Sequence, residues 1–173
     1  MVASLPNRTM TTVKSIAWPL IFTYAGPVFG KGFLAQVELC GRLLAVPEIE
    51  GVWLDGVNPG GFALGAATLD DANKELRAAL TRVFVDFAES ANTFTEFREA
   101  VERFYHETDQ ETVSEWEEAV KAVQDGLVPI PSGLTRKPSG WACFVKVTEK
   151  SVDQVTPKDN LPVVDGHQLA AAA

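Results

Sequence analysis

Cysteine and histidine are scarce in this chain, with two of each among 173 residues. Cys40 and Cys143 are too few for a disulfide scaffold, and their spacing fits no zinc-ligand arrangement. Each lies in an apolar, strand-like run, where a buried reduced thiol is expected. His106 falls near the end of a predicted helix and His167 in a polar tail. Neither has a metal-ligand partner at helical spacing, so both read as structural or surface residues. No metal and no cofactor is expected. Long apolar runs are missing too. Residues 14–30 have a basic start and an apolar middle, but Pro19 interrupts them and no small-residue cleavage site follows. They read as a strand entering a domain, which points to a cytoplasmic protein with no membrane association.

Positive charge is also in deficit. Fifteen Lys and Arg face 23 Asp and Glu, a formal net charge of −8, which disfavours non-specific nucleic-acid binding by the chain as a whole. With 46% hydrophobic and 22% charged residues, the chain is neither disordered throughout nor a membrane bundle. Its length suits a single domain.

The usual catalytic arrangements are absent. The segment from Gly26 through Gly30 to Lys31-Gly32 has one residue too few between its glycines for a phosphate loop, and Gly32 stands where a Ser or Thr would hold magnesium. Gly56, Gly60, Gly61 and Gly65 precede a strand, not the helix a dinucleotide fingerprint opens. No serine-hydrolase elbow occurs. Asp55 and Glu38 stand on neighbouring predicted strands, a spacing common by chance. The chain does not read as an enzyme.

What is present is patterned. Phe33, Ala35, Val37 and Leu39 alternate with Gln36 and Glu38, and after Gly41 the pattern resumes at Leu43, Leu44 and Val46. A long strand bent or bulged at Gly41 is predicted. Glu50-Gly51 turns into a second strand over 52–57. Asn58-Pro59-Gly60-Gly61 turns again into a third over 62–66, making an antiparallel meander. Three helices follow, predicted to start at Thr68, Thr93 and Thr112, each with an acid three residues on as in a capping box. Their apolar stripes run through Leu69, Ala72, Leu76, Leu80, Val83 and Phe87, then Phe94, Phe97, Val101 and Phe104, then Val113, Trp116, Val120 and Val123. Gly126 ends the third. Residues 127–140 read as a loop, and a late strand is predicted over 141–147.

The fold class is therefore α+β: an antiparallel sheet of three or four strands packed on a helix, with two additional acidic helices. Residues 1–12 are expected to be a flexible tail, 13–150 a single domain with an acidic helical appendage at 93–126, and 151–173 a second flexible tail. Its closing alanines, 170–173, look like an artificial addition. An alternative reading puts a small-ligand pocket among Trp53, Phe62, Phe84 and Phe87. Another has an unpaired strand, 62–66 or 141–147, joining two copies in a homo-oligomer, most simply a dimer.

Charge is concentrated. Between residues 86 and 126 twelve acids face only Arg98, Arg103 and Lys121, nine net negative charges, so the rest of the chain is nearly neutral. Such a surface repels phosphate, making DNA an unsuitable partner for these helices, and suits a basic protein. Glu99, Glu102, Glu115, Glu117 and Glu118, together with Trp53, are the candidate partner-binding residues.

The meander and its helix carry one further pattern. Residues 52–57, the Asn58-Pro59-Gly60-Gly61 turn, the strand 62–66 with Gly65, and Thr68-Leu69-Asp70-Asp71-Ala72 resemble the HicB-type antitoxin family. The resemblance covers residues 33–87. It implies a partial RNase-H-like fold without catalytic activity, which binds and neutralises a small basic RNA-cleaving toxin and regulates its own operon. The basic DNA-binding segment that many family members carry has no counterpart here.

Overall fold

The computed structural model describes residues 16–138, 140–151 and 169–173, and the chain is an α+β protein. The expected tail at 1–12, most of that at 151–173 and His167 lie outside the described residues. The strands are β1 (Trp18–Phe29), β2 (Leu34–Glu48), β3 (Gly51–Asn58), β4 (Ala63–Ala66), β5 (Thr135–Lys137), β6 (Phe144–Lys150) and β7 (Ala170–Ala172). The helices, all between β4 and β5, are α1 (Leu69–Ser90), α2 (Phe94–His106) and α3 (Gln110–Gln124).

The meander predicted from the alternation is present as β2, β3 and β4, antiparallel throughout. It is part of a larger sheet, seven-stranded among the described residues, in the order β4-β3-β2-β1-β7-β5. β1 covers one edge of β2 from Leu34 to Ala45. The other edge is shared end to end: β6 pairs with Leu34–Cys40, and β3 pairs with Arg42–Glu48. Between them the ladder shifts register at Arg42/Leu43, beside Gly41 where the sequence predicts a bend. A Cβ at Gly41 would lie 2.2 Å from the carbonyl oxygen of Asn58 and 2.5 Å from the Phe22 ring, so the two strands meet here only because the residue is glycine.

Alternation along β1 and β2 divides the apolar residues between two faces. Leu20, Phe22, Tyr24, Ala35, Val37, Leu39, Leu43 and Ala45 point to a large core, closed by Ala72, Leu76, Leu80, Phe84 and Ala88 of α1 and by Phe97, Val101 and Tyr105 of α2. Ile21, Cys40 and Leu44 point the other way, joined by Val57 of β3, to a smaller core closed by Trp116, Ala119 and Val120 of α3. The result is three layers, with α1 and α2 on one face of the sheet and α3 on the other.

Several expectations are corrected. The helices α2 and α3 are not an appendage, because their apolar stripes complete the two cores. Thr68 and Thr93 do cap α1 and α2, accepting from the backbone N–H of Asp71 at 3.1 Å and of Glu96 at 3.2 Å. The cap of α3 is Asp109 rather than Thr112: its carboxylate accepts from the Thr112 N–H at 2.9 Å and from the Thr112 hydroxyl at 2.8 Å. Gly126 follows α3 with φ +71°, as the stop signal predicts. The late strand starts three residues after its predicted position, at Phe144. The terminal alanines are an integral strand, not a loose addition. Ala170–Ala172 lie between β1 and β5, antiparallel to one and parallel to the other, and all three are buried. Alanine has little strand propensity, and the slot accepts it because small side chains let Ala172 sit beneath α3.

Candidate functional site

The α3 face carries a groove of about 360 Å³ between the helix and the sheet. Its floor is Leu44 and Val46 of β2 with Ala17, and its helical wall is Ala119 and Ala122. Val128 and the exposed Ile16 close its ends, and Glu115 and Glu118 form its acidic rim. These positions follow from helical geometry. With Trp116, Val120 and Val123 turned into the core, residues 115, 118, 119 and 122 fall along one flank of α3.

Trp53 extends this surface. It is the direct partner of Val46 across the β2–β3 ladder, so it stands on the same face. Its indole N–H donates to the Asp55 carboxylate at 2.8 Å, and its ring lies over Gly65 of β4, where an added Cβ would approach it to 3.0 Å. Held on two sides, the ring remains 41% exposed. An aromatic surface fixed in one orientation and still facing solvent loses little side-chain entropy when a partner covers it.

Beneath the groove, Arg42 organises the sheet. Its Nε donates to Asn58 Oδ1 at 2.8 Å, Nη2 donates to the same oxygen, and the guanidinium stacks 5.0 Å from the centre of the Trp116 ring. Asn58 is a buried polar side chain, 9% exposed, and Arg42 satisfies its amide oxygen.

The six candidate residues therefore do not form one site. Glu115, Glu118 and Trp53 share the α3 face. Glu117 is exposed but lies off the groove flank. Glu99 and Glu102 belong to α2, which packs on the opposite face of the sheet, and Glu102 lies 3.9 Å from Arg98. The connection at 107–109 carries the chain from one face to the other, a reversal that helical periodicity does not encode.

Other candidates dissolve in the same way. Phe62 and Phe84 are core residues on the α1 face, away from Trp53, so the aromatic ligand pocket does not form. Asp55 opposes Leu44 of β2 while Glu38 lies six residues further along that strand, ~20 Å at the usual strand rise. No cluster of three or more His, Cys, Asp or Glu that could hold a metal occurs among the described residues. A second concavity, about 440 Å³, lies between α1 and α2. It mixes Phe87 and Phe104 with Glu96, Arg103 and Glu107. No described helix is long and apolar enough to cross a membrane.

No family model, no curated protein and no solved structure matches this chain.

Proposed function

We propose that this protein is a non-catalytic protein-binding module, and that its α3 face receives a small basic partner. The observation that carries the reading is the α3 groove: an apolar floor edged by Glu115 and Glu118, next to the fixed, exposed ring of Trp53. Such a surface suits an apolar anchor flanked by lysines or arginines, with the carboxylates steering encounter and the groove supplying the desolvated contact. The acid balance along α3 favours the same partner, since Lys121 is its only base.

The resemblance to HicB-type antitoxins gives the partner a more specific form: a short, basic, RNA-cleaving toxin encoded beside this chain, held inactive by complex formation. This is tested by calorimetric titration of the purified chain with the product of the adjoining reading frame. Stoichiometric binding that weakens in Trp53→Ala and suppresses RNA cleavage by that product is the expected result. An adjoining product that is not basic, or that does not bind, overturns the antitoxin form.

A second reading concerns self-association. Among the described residues β4 is the terminal strand on one side of the sheet order, and its outer edge is where a second copy would pair. Light scattering decides this, with a mass of twice 18.7 kDa expected for the dimer.

A further inference from the structure

The fold brings together the two cysteines that the sequence places about a hundred residues apart. Cys40 lies in β2 and opposes Phe144 of β6, and Cys143 is the residue immediately before Phe144. Both pack into the α3-side core. The environments differ: Cys40 is fully buried in the α3-side core, whereas Cys143 is partly exposed and touches both cores where the sheet branches. Two cations stand nearby. Arg42 is two residues along β2 from Cys40, and Lys137 holds its ammonium 4.0 Å over the ring of Trp141, two residues before Cys143.

These surroundings separate the two thiols chemically. The hydrogen bond from Cys40 brings Cys143 down to about 7, against the opposing effect of its own burial, with help from the Arg42 charge. Cys40 is pushed up by the same hydrogen bond and by burial. A partly exposed thiolate backed by a sheltered thiol is the arrangement in which a reactive cysteine has a resolving partner.

We propose that Cys143 and Cys40 are a modification site, a peroxide-reactive dithiol that closes to an internal disulfide. The Cys143 thiolate attacks one oxygen of a hydroperoxide. The O–O bond breaks, an alcohol (or water, from hydrogen peroxide) departs after taking up a proton, and Cys143 becomes a sulfenic acid. Cys40 then gives up its proton and attacks that sulfur. The S–S bond forms as the S–O bond breaks, and the hydroxyl leaves as water. Two thiols have lost two electrons and one hydroperoxide has gained them. The bond ties β2 to the entry of β6 and closes a loop of about a hundred residues, which restricts the unfolded chain.

This proposal stands apart from the partner reading and is tested on the full chain. The reduced protein is treated with one equivalent of hydrogen peroxide, alkylated, weighed intact and mapped by peptide. The expected product is a monomer lacking two hydrogens, with Cys40 joined to Cys143 and neither thiol alkylatable. Its Tm is expected to rise by ~5–10 °C and to return on treatment with a phosphine reductant. In Cys40→Ala, Cys143 should stop at a sulfenic acid trapped by dimedone, and the pH midpoint of its alkylation should move upward from about 7. In Cys143→Ser, Cys40 should survive the same dose. Wild-type protein that yields only sulfinic acid at Cys143, only disulfides between copies, or two unreacted thiols overturns the proposal.

Discussion

The two faces of the sheet are built from the same strands but packed differently. On the α1/α2 face large aromatic side chains interlock. Phe84 meets Tyr24 edge-on at 5.2 Å and Phe104 at 6.2 Å, and Phe33 packs on Phe97 at 5.4 Å. Tyr24 hydrogen-bonds Thr81 at 3.1 Å, which satisfies its hydroxyl within the layer. On the α3 face one helix covers a smaller set of residues, a stacked Arg42–Trp116 pair takes the place of apolar contact, and a groove remains along the helix flank. The concavity between α1 and α2 is lined only by the two helices and their C-caps, whereas a single helix over a wide sheet leaves apolar strand residues in reach of a partner. We propose that the first face holds the fold and the second receives the partner.

Truncation should separate the faces most clearly. Phe84→Ala is expected to cost ~3–5 kcal/mol in urea unfolding, because its fully buried ring contacts both α2 and β1. Val120→Ala, on α3, should cost only about 1–2 kcal/mol. Equal losses would abolish the distinction. Arg42→Met comes next, at ~1–3 kcal/mol, since it strands the buried Asn58 amide oxygen. A double-mutant cycle with Trp116 should give a non-zero coupling for the stacked pair, and additive losses would mean the stack contributes nothing.

Helix caps give the next, smaller effects. Thr68→Ala and Thr93→Ala should each cost ~1 kcal/mol, since each removes the hydroxyl that accepts from the helix's first turn. The α3 face differs here too, because Asp109 caps with a carboxylate. Hydrogen bonds from the Thr112 backbone N–H and hydroxyl hold that carboxyl below its ordinary value. A group whose folded value is depressed stabilises the fold above its unfolded value and loses that contribution as pH falls through the folded one. Acid should therefore loosen the start of α3 before those of α1 and α2, in amide exchange. Asp109→Asn should remove that extra acid sensitivity, and an unchanged pH profile would contradict it.

Local signals made much of this legible in the sequence. The period-two alternation of β2, the Asn58-Pro59 turn and the two threonine caps each depend on residues within a few positions of one another, and the structure has them all. What was not legible depends on distance. β1 lies in the segment read as a strand entering the domain, but nothing local shows that its partner is β2 along twelve residues. β7 is three alanines with no propensity signal, held by neighbours that pair on both sides. The placement of α2 and α3 on opposite faces splits an acidic run that is continuous in the chain, which separates Glu99 and Glu102 from Glu115, Glu118 and Trp53. The meeting of Cys40 with Cys143 is likewise a product of strand pairing alone.

The central claim is that binding belongs to the α3 face, and charge reversal on each face tests it directly. Glu115→Lys with Glu118→Lys, and separately Glu99→Lys with Glu102→Lys, are titrated calorimetrically against the product of the adjoining reading frame, the proposed partner. Both pairs change the net charge by the same amount, so a bulk electrostatic effect would weaken both alike. A loss of affinity of about 30-fold or more for the α3 pair, with less than ~3-fold for the α2 pair, is the predicted result. Equal losses, or a larger loss from α2, would contradict the account.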